Sequence, residues 1–487
     1  NGHGDLIKTG AGTLELGTTA GATNELTAPY NMYQGLTDVR EGTLRLMSVN
    51  NQVLGTSKSF YDGTIVRDGA TLALGRNSTG SVVGTTYSLM EWMTFEQGST
   101  LRVEDPGPSY QSPSIHGVIN FAGDATVWVQ TDEFNFNSAG AGYVMGSGSI
   151  IKDGDGTLRL YGYSPEFTGG IIIKDGVFQD VGYADSTIPN ASSITIGLND
   201  GVDRGTVGFY VRPERNGVGT TWNIVQDILV QGTNSSTRLG VQRAQHGDVV
   251  NFLGDITMSN FASNRDLLLL FERDLSQRDA NGGDSFNQEY YINLAGDISG
   301  GNKRLRTYVE QNGGVTGWAQ TQERVEGSQA LTNEPNWMVF WTLSGTNTDW
   351  TGSLEAGNRA GTSATSTGPD LDKQHFVRFG KNDGAATLAI GASNQVVLRH
   401  DATLQAYGSQ VTIGNLYSDG SEGGDGFWGS QLVSNTYLEN GGTVAGSFTI
   451  NQTTNRVFNG IIRDGTYYSP TSTNLASAAL SIIKAGS

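Results

Sequence analysis

The sequence predicts an all-β chain wound as a parallel β-helix, a solenoid with loop insertions, on three observations. Glycine is frequent, apolar residues come in short alternating runs, and one phrase returns at a near-constant interval. Glycine numbers 69 against 10 prolines, so turns are many without the proline load of a disordered linker. Hydrophobic residues make up 36%, below the usual share for a globular domain, and they alternate with polar ones instead of forming helical stripes.

The phrase is Ile7-Lys8-Thr9-Gly10-Ala11-Gly12-Thr13-Leu14-Glu15-Leu16, which returns as Ile151-Lys152-Asp153-Gly154-Asp155-Gly156-Thr157-Leu158-Arg159-Leu160 and opens again as Ile483-Lys484-Ala485-Gly486-Ser487. Its shorter core, a threonine and an apolar residue after a glycine-bearing turn, recurs at Thr43-Leu44, Thr71-Leu72, Thr100-Leu101 and Thr126-Val127. From Leu14 through Leu44, Leu72, Leu101, Val127 and Leu158 the steps are 30, 28, 29, 26 and 31 residues, the jittered period of a coil. Val207 and Leu388 read as later members of the series, with insertions between.

Each unit therefore holds a few short strands that alternate an inward Leu, Val or Ile with an outward polar residue. Glycine supplies the corner conformations. Such units bury their apolar edges only by stacking, each strand bonded to its equivalents in neighbouring coils at about 4.8 Å. A second element follows the first: an aromatic, any residue, then glycine, at Tyr33-Gln34-Gly35, Phe167-Thr168-Gly169 and Trp350-Thr351-Gly352. These aromatics are expected to pack along the interior or at a corner, where each buries a large apolar area.

Phe261 to Ala280 runs without glycine and contains Leu267-Leu268-Leu269-Leu270-Phe271. It reads as a buried strand followed by a polar excursion, a short outer helix being the alternative. Asn358 to Asp372 and Ser418 to Gly429 read as loops. The expected organisation is one continuous solenoid over 1–487, regular over 1–180 and 380–487 and richer in insertions over 181–379.

The formal charge of −18 argues against nucleic acid or anionic lipid as partners, since both repel an acidic surface. Cysteine is absent, which removes disulfides, thiolate metal sites and cysteine nucleophiles. No apolar run approaches the roughly 20 residues that span a bilayer. Asn1-Gly2-His3-Gly4-Asp5 has neither the basic nor the apolar segment of a leader, so any export signal is expected to have been removed or to lie upstream.

These phrases resemble the autotransporter-associated β-strand repeat of bacterial passenger domains, in which a Lys-x-Gly-x-Gly-Thr-Leu-x-Leu phrase precedes an aromatic-x-Gly and a second Gly-Thr-Leu strand. Ile7 to Leu46 and Ile151 to Phe178 carry the likeness, and Phe458 to Gly465 leading into Ile483-Lys484 matches the approach to another copy. Between Asp180 and Asp349 it thins to echoes such as Gly296-Asp297-Ile298-Ser299-Gly300. The resemblance implies a right-handed parallel β-helix exported by a Gram-negative cell. It also implies a stalk whose activity, where there is any, sits in an appended domain. The membrane barrel that anchors an autotransporter has no visible counterpart here, so the chain is expected to be a fragment or to be anchored differently.

Catalytic phrases fail on context. Gly361-Thr362-Ser363-Ala364-Thr365 looks like a subtilisin-type nucleophile phrase but runs into Ser366-Thr367-Gly368-Pro369, where no helix forms. Gly283-Asp284-Ser285 meets Phe286 where trypsin-like enzymes have glycine. Asn347-Thr348-Asp349 and Gly2-His3-Gly4 are similar to polygalacturonase phrases, in reversed order and far apart, without the paired carboxylates of acid/base catalysis. His3, His116, His246, His375 and His400 never fall at metal-ligand spacing and read as surface or loop residues. Asp153 and Asp155 lie in a Gly-rich turn where Ca²⁺ is the ion to consider, although the calcium nonapeptide does not repeat.

No catalytic, cofactor-binding or metal residue is assigned. The expected function is a non-enzymatic structural or adhesive rod, extracellular or on the bacterial cell surface: a surface adhesin or a filament-forming β-helix that displays surface or polymerises head to tail. Its expected partners are copies of itself or further coils of a longer chain, with surface glycans as further candidates and no membrane insertion by this segment. The alternative is a polysaccharide-active β-helix, a lyase or glycoside hydrolase, which needs Asp clustered with Lys or Arg on one face.

Overall fold

The computed structural model describes residues 4–16, 33–46, 54, 63–75, 88–104, 114–130, 133–137, 142–182, 186–213, 219–234, 236–242, 244, 247–261, 266–273, 288–311, 337–345, 349–357, 373–380, 394–398, 402–418, 431–436, 445–456, 458, 461–466 and 480–486. Every regular element among them is a β-strand, and the chain winds as a parallel β-helix. It divides into two compact units, Asn1–Glu214 with Gly314–Trp318, and Arg215–Gly313 with Ala319–Ser487.

In the first unit three strands make one coil. The first sheet stacks Leu6–Lys8, Thr37–Val39, Thr64–Val66, Met93–Phe95, Ile119–Phe121 and Val144–Met145. The second runs from Thr13–Leu16 through Thr43–Leu46, Thr71–Leu74, Thr100–Val103, Ala125–Val129, Ile150–Asp153 and Ile171–Ile173 to Ile194–Ile196. The third begins at Ser88–Leu89 and Ser114–Ile115 and continues through Glu133–Phe136, Thr157–Tyr161 and Gly176–Gly182 to Thr206–Pro213. All these pairings are parallel and in register, so that Leu14 faces Leu44, Leu72, Leu101 and Val127 in one column. From Leu44 onward this column is fully buried, each side chain contributing roughly 1.5–3 kcal/mol by leaving water. Phe95 stacks on Phe121 at 5.6 Å, and Phe121 meets Phe167 edge-on at 6.4 Å. The expectation of interior aromatics therefore holds for Phe167, as it does for the buried Trp350 of the second unit.

Two expectations about the column are corrected. Leu158 does not follow Val127; it lies in the third sheet against Phe134 and Phe178, and the residue facing Val127 is Lys152. The coil shortens here, from Val127 to Lys152 in 25 residues and to Ile173 in 21, so the returning phrase falls one face later in the turn. Val207 likewise pairs with Gly176 in the third sheet. Leu388 lies outside the described residues.

The second unit repeats the plan with longer strands. Asp266–Arg273 pairs with Ser236–Gln242 and Arg304–Gln311, which makes the leucine-rich segment a strand with Leu267, Leu269, Leu270 and Phe271 buried. Residues 274–280 lie outside the described set, as do the loop at Asn358 to Asp372 and the loop that follows Ser418. On the sheet holding Val249–Phe252, Gln288–Leu294, Trp337–Leu343 and Lys373–Phe379, Asn251 donates to Asn223 at 2.8 Å and Asn293 to Asn251 at 2.7 Å. Beside this amide ladder Tyr291, Phe340 and Phe376 stack at 5.2 and 4.7 Å. At a corner, Gly254-Asp255-Ile256 and Gly296-Asp297-Ile298 stack in turn on Gln226-Asp227-Ile228, each aspartate accepting the next one's backbone N–H at 2.8–2.9 Å.

Candidate functional site

The repeat phrase builds a corner. Alternation alone predicts Ile7 inward and Lys8 outward. The reverse is found: Ile7 is 47% exposed and Lys8 only 6%. Lys8 occupies the core column of Val39, and Lys152, with no exposed surface, sits between Val127 and Ile173. Each aliphatic stem fills core space while the ammonium bends to the adjoining turn. The Lys8 ammonium donates to the carbonyls of Thr9, Gly10 and Glu41 at 3.0, 2.6 and 2.8 Å. Lys152 donates to those of Asp153, Gly154 and Asp175 at 3.0, 2.6 and 3.0 Å. Burial pushes the Lys152 ammonium down to about 7 against the pull of Asp175, Asp153 and Asp155. Three carbonyl acceptors also favour the form that carries three N–H bonds. Burial raises Asp175 to about 6.

Asp153, one of the two carboxylates weighed for calcium, is already engaged: one oxygen accepts the Gly154 N–H at 2.9 Å and the other pairs with Lys174 at 2.8 Å. Among the described residues no group of three or more His, Cys, Asp or Glu is placed to hold a metal ion.

A second inward polar group went unread in the sequence. Thr37 and Thr64 point into the core, the Tyr33 hydroxyl meets that of Thr37 at 2.6 Å, and Thr64 donates to Glu91 at 3.1 Å. Burial raises Glu91 to about 8 and Tyr33 to about 12, Glu91 adding to the latter. His116 is also buried, its Nε2 2.8 Å from the Ser114 hydroxyl, and burial pushes its pKa down. Of the two readings, surface or loop, it meets the second: it lies between strands but is not at the surface. His375 belongs to the strand Lys373–Phe379, while His3, His246 and His400 lie outside the described residues.

The outer face of the second sheet in the first unit is a hydroxyl and charge strip. Thr13, Thr43, Thr71, Thr100 and Thr126 share one outward column. The neighbouring column is Glu15, Arg45, Ala73, Arg102 and Trp128. Arg45 pairs with Glu15 at 3.0 Å and reaches across Ala73 to Glu104, and the Arg102 guanidinium lies 5.0 Å from the Trp128 ring centre. On the first sheet burial pushes Asp38 up, but the Arg67 and Arg40 guanidiniums, each 2.8 Å away, outweigh it and hold the carboxyl below its usual range.

The two lysine corners coincide with a recognised repeat. The family described as passenger-associated-transport-repeat matches residues 6–46 and 150–179, the segments that supply Lys8 with Glu41 and Lys152 with Asp175. These two segments of the chain are similar to passenger-associated-transport repeats. The chain is also similar to the adhesin BmaC autotransporter of Brucella suis biovar 1 (strain 1330), 31% identical over 177 residues. That match covers 34% of this chain and 5% of the relative's length. No solved structure matches.

Outside the two matched segments, the serine phrases at Gly283 and Gly361, Asn347-Thr348 and Gly2-His3 lie beyond the described residues. Asp349 is described, and its carbonyl accepts the Gly301 N–H at 3.2 Å beside the buried Trp350, as a turn residue would.

Proposed function

We propose that this chain is a non-enzymatic adhesive segment of a passenger, displayed on the surface of a bacterial cell or beyond it. The observation that carries this reading is the stacking of repeat coils around an interior filled by side chains, in a chain similar to an autotransporter adhesin. Adhesion then belongs to the outer faces. The strip of threonine hydroxyls beside Arg102 and Trp128 is the surface proposed to meet glycans, because an indole face and a guanidinium fork supply stacking and paired hydrogen bonds. Further coils or second copies are the partners proposed for the strands Leu6–Lys8 and Thr13–Leu16, which among the described residues pair on one side only and expose a parallel edge.

The test is binding of the purified chain to glycan arrays and cultured cells. Replacing Arg102 and Trp128 together by alanine is expected to weaken binding at least tenfold with the melting midpoint unchanged. Equal binding by the double variant rejects the strip. Release of reducing ends or unsaturated products from acidic glycans overturns the non-enzymatic reading.

A further inference from the structure

We propose that the lysine of the repeat phrase is a tethered cation seated in a cage of backbone carbonyls, and that this cage fastens the corner of one coil to the corner of the next. The reading rests on the same geometry appearing twice in different places. Lys8 turns the corner between the first and second sheets, whereas Lys152 turns the one between the second and third. In both, the ammonium takes the carbonyls one and two residues ahead in its own turn and a third from the next coil, at 2.6–3.0 Å. The pattern therefore belongs to the phrase and not to one corner.

The next coil is shaped to fit. Gly42 and Gly176 follow the third acceptor directly and share φ +65°, a left-handed conformation that side chains resist. A Cβ on Gly176 would lie 2.8 Å from the Lys152 Nζ, and one on Gly42 would lie 2.5 Å from the Gly10 carbonyl oxygen. In the third copy Lys484 donates to the Gly486 carbonyl at 2.7 Å, the same offset as Gly10 and Gly154, so this part of the cage is internal to the phrase. The register partners Val39 and Ile173 fill the same column with aliphatic side chains. Lysine is thus unnecessary for packing, and its head group is what the corner uses. The cage selects a primary ammonium, a small cation with three N–H bonds directed at three carbonyl oxygens.

Methionine at position 152 separates this role from packing, since it keeps the stem and drops the cation. Replacing a buried charge by an apolar residue is often neutral or stabilising, so the result is decisive in either direction. At pH 6, Lys152→Met is expected to lower the melting midpoint by about 5–10 °C, from carbonyls left without donors. It is also expected to speed amide exchange at Gly176 and Val177 at least tenfold. Lys152→Ala with n-propylammonium is expected to recover at least half of the lost midpoint, while n-propanol at equal concentration recovers none. Should either Lys152 variant fail to fold, Lys8→Met is read by amide exchange at Gly42 and Thr43, with the same acceleration expected. A methionine variant as stable and as slow to exchange as the parent overturns the proposal, and so does rescue by propanol equal to that by propylammonium.

Discussion

Replacing Gly296 by alanine is expected to lower the stability of the second unit by about 3 kcal/mol or more, the range of a backbone-level overpacking defect. Gly254, Gly296 and Gly345 stack at one corner, each pressed against the backbone of the coil before it. A Cβ at position 296 would overlap the Gly254 carbonyl oxygen and lie 2.9 Å from the Asp255 nitrogen. Those atoms are held by the strand ladder and by the Asp297 N–H bond to Asp255, so neither can give way without parting the coils. Gly301 is the control. It has φ +62° but nothing within 4 Å of an added Cβ, and alanine there costs about 1–2 kcal/mol of backbone strain alone. Urea unfolding followed by the buried Trp222 and Trp341 measures both. Equal losses in the two variants would show that the close approach of the coils contributes nothing.

The repeat, the strands and their parallel stacking were legible because a solenoid writes one alternation many times, and Leu14, Leu44, Leu72 and Leu101 keep both spacing and register. The glycine stack was not legible. Its members lie 42 and 49 residues apart, from 254 to 296 and from 296 to 345, so insertions hide a column that exists only in space. The corner lysines were misread for a related reason. Period-two alternation fixes which residues share a face, but the last residue before a turn can send its polar head along the turn while its stem fills the core. Lys8 and Lys152 do this, and lysine stands at the same place in all three copies of the phrase. Leu158 was assigned to the wrong sheet because a phrase marks a corner, and a shortened coil can bring that corner to a different face. Glu91 and His116 carried no signal at all, since nothing local to them reveals which neighbouring coil covers them.

Glu91→Gln is expected to stabilise the first unit at alkaline pH and to leave it unchanged below pH 4.5. The carboxyl is 4% exposed and receives one hydrogen bond, from Thr64, which is too little to hold a charge away from water. Burial therefore raises it from 4.5 to about 8. The folded state binds the proton more tightly than the unfolded chain, so this group's contribution is fully present below 4.5 and is lost as the pH rises through 8. The full swing is on the order of 5 kcal/mol. Glutamine keeps the shape and the acceptor for Thr64 but cannot ionise. The difference in melting midpoint between variant and parent should thus open from pH 5, widen to pH 8 and level off by pH 9, with Asp38, Asp175 and Lys152 titrating alike in both proteins. Tyr33, raised to about 12 in part by Glu91, offers an independent reading: its absorbance titration should move to lower pH in the variant. Parallel stability curves from pH 5 to 9 would mean that Glu91 is charged in the folded state and that the core beneath Thr64 admits water.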